Sequence, residues 1–348
     1  MTDIKSMNKK ELAELVGSLG EKPFRAKQIY SWLHEHLVTS YEEMTNLSAG
    51  LKKKLSAYPI TALHMVDVQI SRLDGTRKYL FQLADGNVIE SVLMRYKHGN
   101  SVCISSQVGC RMGCRFCAST IGGLTRCLTP SEMLDQIYSI QKDTGERVSN
   151  VVVMGTGEPL DNYDNLLRFI HILTEEGGLH ISQRNLTVST CGLVPEMLRL
   201  AEEKLQITLA LSLHAPNDEK RQELMPIARK YTMEEVLNAC RIYFEKTGRR
   251  ITFEYSLVAG VNDSEENARE LSGRIRDINC HVNLIPVNPV KERSFQRPTR
   301  EAAENFKIKL EKCGINVTIR REMGRDIDGA CGQLRKSYLD QRADQKKE

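Results

Sequence analysis

The sequence predicts an α/β fold built on a parallel sheet covered by helices, and three observations lead there. From about residue 100 to residue 321, short apolar runs alternate with amphipathic helical patterns, as repeated β-α units do. The runs are apolar almost throughout, which suits strands covered on both faces. Unusual residues recur directly after the runs, where a parallel α/β architecture gathers its chemistry on one rim. Periodicity alone leaves doubly wound and barrel-like arrangements open.

In chain order, residues 1–60 contain no convincing strand. Segments 9–16, 25–37 and 51–57 read as short helices with Leu12, Leu15, Ile29, Trp32 and Leu33 on their apolar faces. KYLFQL (78–83) and VIESVLM (88–94) then flank an Asp85-Gly86-Asn87 turn, a hairpin signal. Strands are expected at SVCISS (101–106), NVVVMG (150–155), NLTVST (185–190), ITLALSL (207–213), ITFEYSLV (251–258), HVNLIPV (281–287) and NVTIR (316–320). Helical patterns lie between them at 131–142, 163–176, 233–246, 265–277 and 300–312. The first has Thr129 as N-cap, Pro130 at N1 and Glu132 at N3, a capping box. Four regions result: a helical segment at 1–62, a hairpin linker at 63–98 packing on the core, the α/β core at 99–335 and a polar tail at 336–348.

Composition bounds the function. The chain has 348 residues, 41% hydrophobic and 27% charged, with formal net charge +4. That excludes a disordered chain and leaves enough length for a sizeable core. No apolar run approaches the roughly 20 residues of a bilayer span, so the expected location is cytoplasmic, away from membranes. In that reducing compartment the ten cysteines do not read as a disulfide scaffold. Four of them crowd between Cys103 and Cys117, whereas the scattered remainder suit packing positions.

Cys110, Cys114 and Cys117 form Cys-x3-Cys-x2-Cys in GCRMGCRFCAST, with Gly109 and Gly113 letting the backbone fold back. Three thiolates at this spacing suit a 4Fe–4S cluster with one iron open to a cosubstrate. A structural zinc would want a fourth ligand at short spacing, and none follows. With Phe116 before the last cysteine, the pattern resembles the radical S-adenosylmethionine superfamily, and Gly157-Glu158-Pro159 looks like its loop for the methionine amino group. CISSQVGC, MGTGEPLDN, STCGLVP, SLHAPND, NLIPVNP and GRDIDGACGQL narrow the resemblance to the RlmN and Cfr family of RNA adenine methyltransferases.

The resemblance covers nearly the whole chain and implies a partial (β/α)6-type radical SAM barrel with extra strands and a small N-terminal helical domain that binds RNA. It also implies a pocket for S-adenosyl-L-methionine at Gly157, Glu158, Ser189, Ser212, Leu213, His214 and Asn288. Carbon 2 of adenine is electron-poor and does not attack a methyl sulfonium, which is why the family proceeds covalently. By the match, Cys331 is methylated first, and a second cosubstrate molecule yields a 5′-deoxyadenosyl radical that activates the S-methyl group for addition to the base. Cys103 is the matching resolving thiol: a Cys103–Cys331 disulfide releases the product, and a thiol reductant restores it. Glu90 stands where the family has its proton acceptor. The implied partners are 23S rRNA (adenosine 2503), tRNA (adenosine 37) and a flavodoxin-like electron donor; a monomer is the default expectation, since the sequence does not carry the oligomeric state.

Read alone, each of these residues has a plainer alternative. Glu90 could be a solvent-facing hairpin glutamate, Cys103 a strand cysteine, Ser189 a strand-end cap and Asn288 a turn residue. Two rival functions stay open. Cfr-type methylation at C8 is disfavoured because that branch carries a cysteine where this chain has Val108, and Ala-Thr-Gly where it has Ala118-Ser119-Thr120. A metal-stapled RNA-binding protein without catalysis is the other. Lys52–Lys54, Arg320-Arg321 and Arg335-Lys336 are the candidate phosphate contacts.

Overall fold

The structure, a computed structural model, describes residues 3–288, 295–327 and 332–345. It opens with three helices, α1 (Lys9–Ser18), α2 (Phe24–His34) and α3 (Ala49–Leu55), near their expected positions. Asn8 caps α1 with Glu11 reciprocating, a capping box that consumes two otherwise orphaned N–H groups. Leu12, Val16, Ile29, Leu33, Leu51 and Leu55 are buried.

Four strands follow: β1 (His64–Ile70), β2 (Arg77–Gln82), β3 (Val88–Tyr96) and β4 (Gly99–Ile104). They pair antiparallel in sequence, and Val92 on β3 lies opposite Cys103 on β4. The expected hairpin is therefore an extension of the main sheet. β1 escaped the sequence reading because its pairing shifts between Met65 and Asp67 and its residues stay partly exposed.

A short pair, β5 (Gln107–Gly109) and β6 (Leu124–Cys127), encloses the three clustered cysteines. Beyond it come α4 (Pro130–Thr144), β7 (Val148–Val153), α5 (Tyr163–Thr174), β8 (Leu186–Thr190), α6 (Val194–Glu202) and β9 (Thr208–Ser212). Then follow α7 (Asp218–Leu224), α8 (Met233–Thr247), β10 (Ile251–Leu257), α9 (Glu265–Ile275), β11 (Cys280–Pro286), α10 (Arg300–Lys312), β12 (Val317–Ile319) and α11 (Gln333–Gln345). The capping box at Thr129 is present.

The ten-stranded sheet runs β1-β2-β3-β4-β7-β8-β9-β10-β11-β12, and every pairing from β4 to β12 is parallel. Each new strand is laid beside the previous one, so the order never reverses as it does in a doubly wound sheet. This one-way winding is that of a partial barrel, and it brings the C-terminal strand ends to one rim.

The helical segment shares the core. Buried Lys5 donates to Asp135 on α4 at 2.7 Å, and His34 meets the Tyr138 hydroxyl at 2.8 Å. The polar tail expected from residue 336 is helical as far as Gln345, within α11. No helix among the described residues is long and apolar enough to cross a membrane.

Candidate active site

The rim of the sheet surrounds one cavity of about 540 Å³. Cys103, Cys110, Cys114, Cys117, Gly157, Glu158, Ser189, Ser212, His214 and Asn288 all line it. Leu213 stands behind the wall, fully buried, its N–H donating to Glu254 O at 3.0 Å. Cys331 lies outside the described residues, but Ile327 before it and Gln333 after it both reach the cavity.

The cysteine loop is pinned on three sides. Cys110 N–H donates to Gly123 O at 3.0 Å, Arg115 N–H to Leu224 O on α7 at 2.9 Å, and the Thr120 hydroxyl to Cys117 O at 2.9 Å. Gly109 and Gly113 have φ of 78° and 72°, as the expected fold-back requires. Burial pushes the Cys110 thiol up to about 12 and the Cys114 thiol higher still, so metal loading must displace protons. Among the described residues no three Cys, His, Asp or Glu side chains converge on one point as a mononuclear ion requires.

Gly157 follows β7 with φ 113°, and a Cβ there would lie 2.6 Å from Gln107 Cβ. Glu158 is buried and both its oxygens are engaged, one by Leu160 N–H at 3.1 Å and one by Cys191 N–H at 2.8 Å. Burial raises its pKa, and the Cys191 bond opposes that. Its own N–H donates to Gln107 Oε1 at 2.8 Å. Gln107 thus ties the loop after β7 to β5; the sequence carried no signal for it beyond its place before the cluster.

His214 ends the β9 segment in the left-handed region, φ 55°. Ser256 N–H donates to its Nδ1 at 2.8 Å, which leaves the ring proton on Nε2. Burial, with Arg221 nearby, pushes its pKa down to about 3, so the ring is neutral. It packs edge-on against Phe116, ring centroids 4.8 Å apart. Asn262 donates to His214 O and Ser256 O, both at 2.7 Å, a clamp the sequence reading missed. The Ser189 and Ser212 hydroxyls are 3.4 Å apart on neighbouring strands.

Glu90 is not solvent-facing: it is 4% exposed, on the face of β3 shared with Val92 and Met94. Its carboxylate lies 3.2 Å from buried Lys78 and accepts from Gly332 N–H at 2.6 Å and from Arg335 N–H. Those two N–H groups belong to the first turn of α11, which a remote carboxylate satisfies. A Cβ on Gly332 would lie 2.9 Å from Ser119 N, so the residue after Cys331 is wedged between Glu90 and the cysteine loop.

Arg297, Arg320, Arg321 and Arg325 also reach the cavity, and Glu322 pairs with Arg297 and Arg325. Arg335, a candidate phosphate contact by sequence, instead donates from Nε to Val88 O at 2.9 Å.

Residues 104–271 match the radical SAM superfamily, and residues 2–60 match the ribosomal RNA large subunit methyltransferase N-terminal domain. The chain is 65% identical to the probable dual-specificity RNA methyltransferase RlmN of Lachnospira eligens, over 98% of this chain and 97% of that protein. The protein of the same name from Clostridium novyi is 52% identical over 97% and 99% of the two chains. The crystal structure of a radical SAM methyltransferase from Sphaerobacter thermophilus superposes with a TM-score of 0.91 at 44% identity, covering 96% of this chain and 99% of that one. With the strand-end cavity and its three cysteines, these matches place the chain in the RlmN family of radical SAM methyltransferases.

Proposed function

We propose that this protein methylates carbon 2 of adenine in 23S rRNA, at adenosine 2503, and in tRNA, at adenosine 37, through a methylated Cys331. One observation carries the reading. Gly332, adjoining Cys331, is held between Glu90 and Ser119, on the margin of the cavity that Cys103 and the three loop cysteines share.

The residues present suit the cofactors. Cys110, Cys114 and Cys117 line one cavity, and three thiolates within one loop are the donor set that would hold a 4Fe–4S cluster. When bound there, the 4Fe–4S cluster supplies the single-electron chemistry that S-adenosyl-L-methionine requires. Beside it, Gly157 and Glu158 offer a tight backbone turn, and Ser189, Ser212, His214, Asn288 and the Leu213 main chain offer polar groups for the cosubstrate. Neutral His214, with its proton on Nε2, can donate one hydrogen bond there without adding charge.

Cys103, 5% exposed, is shielded from bulk water and able to close a disulfide with Cys331 once the base is modified. Glu90 is assigned as acceptor of the ring proton, and its carboxylate lies 3.2 Å from the ammonium of buried Lys78. The arginines at the mouth suit phosphates of an opened RNA loop, and residues 1–62 form the accessory RNA-binding region on the barrel core of 99–335. A flavodoxin-like electron donor, a thiol reductant and a monomeric, cytoplasmic enzyme complete the reading.

Peptide mass spectrometry tests it. Wild-type protein reconstituted anaerobically and given S-adenosyl-L-methionine is expected to carry an S-methyl group on Cys331; an unmodified Cys331 in a chain that still cleaves the cosubstrate would sink the covalent scheme.

A further inference from the structure

Arg221 is 0% exposed and has no role in the chemistry above. It stands on α7, the short helix whose Leu224 carbonyl holds Arg115, the residue after Cys114. Among the described residues its guanidinium makes one hydrogen bond, from Nη2 to Cys191 O at 2.7 Å. Nε and Nη1 are buried and have no hydrogen-bond partner among the described residues.

Burial is the largest influence on it, and Cys191, Cys114, Asp218, Cys240 and His214 are among the groups close enough to couple to it. Asp218 is the one carboxylate among these, and its Oδ1 already accepts Met233 N–H at 2.6 Å. The described residues therefore leave a buried cation without an ion pair, an arrangement that is unfavourable unless an anion completes it. The loaded thiolate loop is such an anion. Three thiolates on a cubane core leave net negative charge, which deepens when the cluster takes an electron.

We propose that Arg221 is the internal counter-ion of the cluster, its spare N–H groups donating to sulfur on the Cys114 side and raising the cluster's reduction potential. The inference rests on the cluster binding assigned above to Cys110, Cys114 and Cys117. Charge and hydrogen bonds to sulfur are the established levers on such potentials, and Arg221 supplies both from within the fold. It also explains why α7 carries an arginine on its buried face, where a leucine would pack without desolvation cost.

The test is an EPR-monitored redox titration of the anaerobically reconstituted full chain as wild type, Arg221→Gln and Arg221→Lys, with iron content and circular dichroism measured alongside. In Arg221→Gln the midpoint is expected to fall by at least about 59 mV, a tenfold change in the one-electron equilibrium. Arg221→Lys, which keeps the charge, is expected to stay closer to wild type. Assembly of a cluster in Arg221→Lys but not in Arg221→Gln, with both folded, also supports the counter-ion role. Equal midpoints in all three proteins overturn it, as does loss of the cluster or of the fold in both variants, since shape rather than charge would then be the requirement. A wild-type chain that binds no cluster would instead refute the underlying assignment of the three cysteines.

Discussion

Replacing Gly157 by alanine probes how closely the loop after β7 must lie on the chain entering the cysteine loop. A Cβ at Gly157 would stand 2.6 Å from Gln107 Cβ and 2.8 Å from both Gln107 N and Ser106 Oγ, at φ 113°. The backbone conformation costs an L-residue about 1–3 kcal/mol. Forcing the overlap adds about 1–3 kcal/mol. Gln107 cannot yield freely, because its N–H donates to Thr156 O at 3.1 Å and its side chain holds Glu158 N–H at 2.8 Å. Gly122 supplies the control: φ is 90°, but a Cβ there meets nothing within 4 Å. Gly157→Ala is expected to lower the unfolding free energy of the cluster-free chain by about 2–6 kcal/mol, against about 1–3 kcal/mol for Gly122→Ala. Urea unfolding followed by circular dichroism measures both. Calorimetric titration of the cluster-loaded protein with S-adenosyl-L-methionine measures the pocket, where loss of about 1.4 kcal/mol of contact weakens binding tenfold. Equal destabilisation by the two substitutions, with cosubstrate affinity unchanged in Gly157→Ala, would show that close contact with Gln107 is not what requires glycine at 157.

Lys5→Met strands Asp135 at the junction of the helical segment and α4; with side chains 0% and 3% exposed, the loss is expected to be about 3–5 kcal/mol, read from urea midpoints. His34 is fully enclosed and burial pushes its pKa down to about 3. The unfolded ring protonates near 6.5, so stability tied to it is intact above about pH 6.5 and lost as pH falls toward 3, by at most about 1.4 kcal/mol per unit. His34→Gln is expected to flatten that part of the stability profile, and an unaltered slope between pH 7 and pH 5 would contradict it. Glu90→Gln is expected to slow product formation by roughly 100-fold or more in single turnover while cosubstrate cleavage persists; parallel loss of both would show that Glu90 only anchors α11.

The repeating strands were legible because β4 and β7 to β11 are short, apolar and spaced by amphipathic helices with clear caps. The three-cysteine loop and the glycine turn after β7 were legible because both place chemically distinctive residues directly at strand ends. α7 was not, since DEKRQEL has no apolar stripe and buries only Arg221 and Leu224. Glu90 resembled an exposed hairpin residue because local alternation says nothing about which face α11 later covers. Lys5, Gln107, Asn262 and Arg221 were invisible for the same reason: each is a polar residue whose partner lies across the fold. α11 itself lacks an amphipathic pattern, and its start is held by the remote Glu90 carboxylate instead of a local cap.

Methylation of adenine carbon 2 through Cys331 is tested by nucleoside mass spectrometry of unmodified 23S rRNA incubated with the cluster-loaded enzyme, S-adenosyl-L-methionine and a low-potential reductant. The wild-type chain is expected to yield 2-methyladenosine and Cys331→Ala none. Formation of 8-methyladenosine, or of 2-methyladenosine by Cys331→Ala at the wild-type level, would contradict that route.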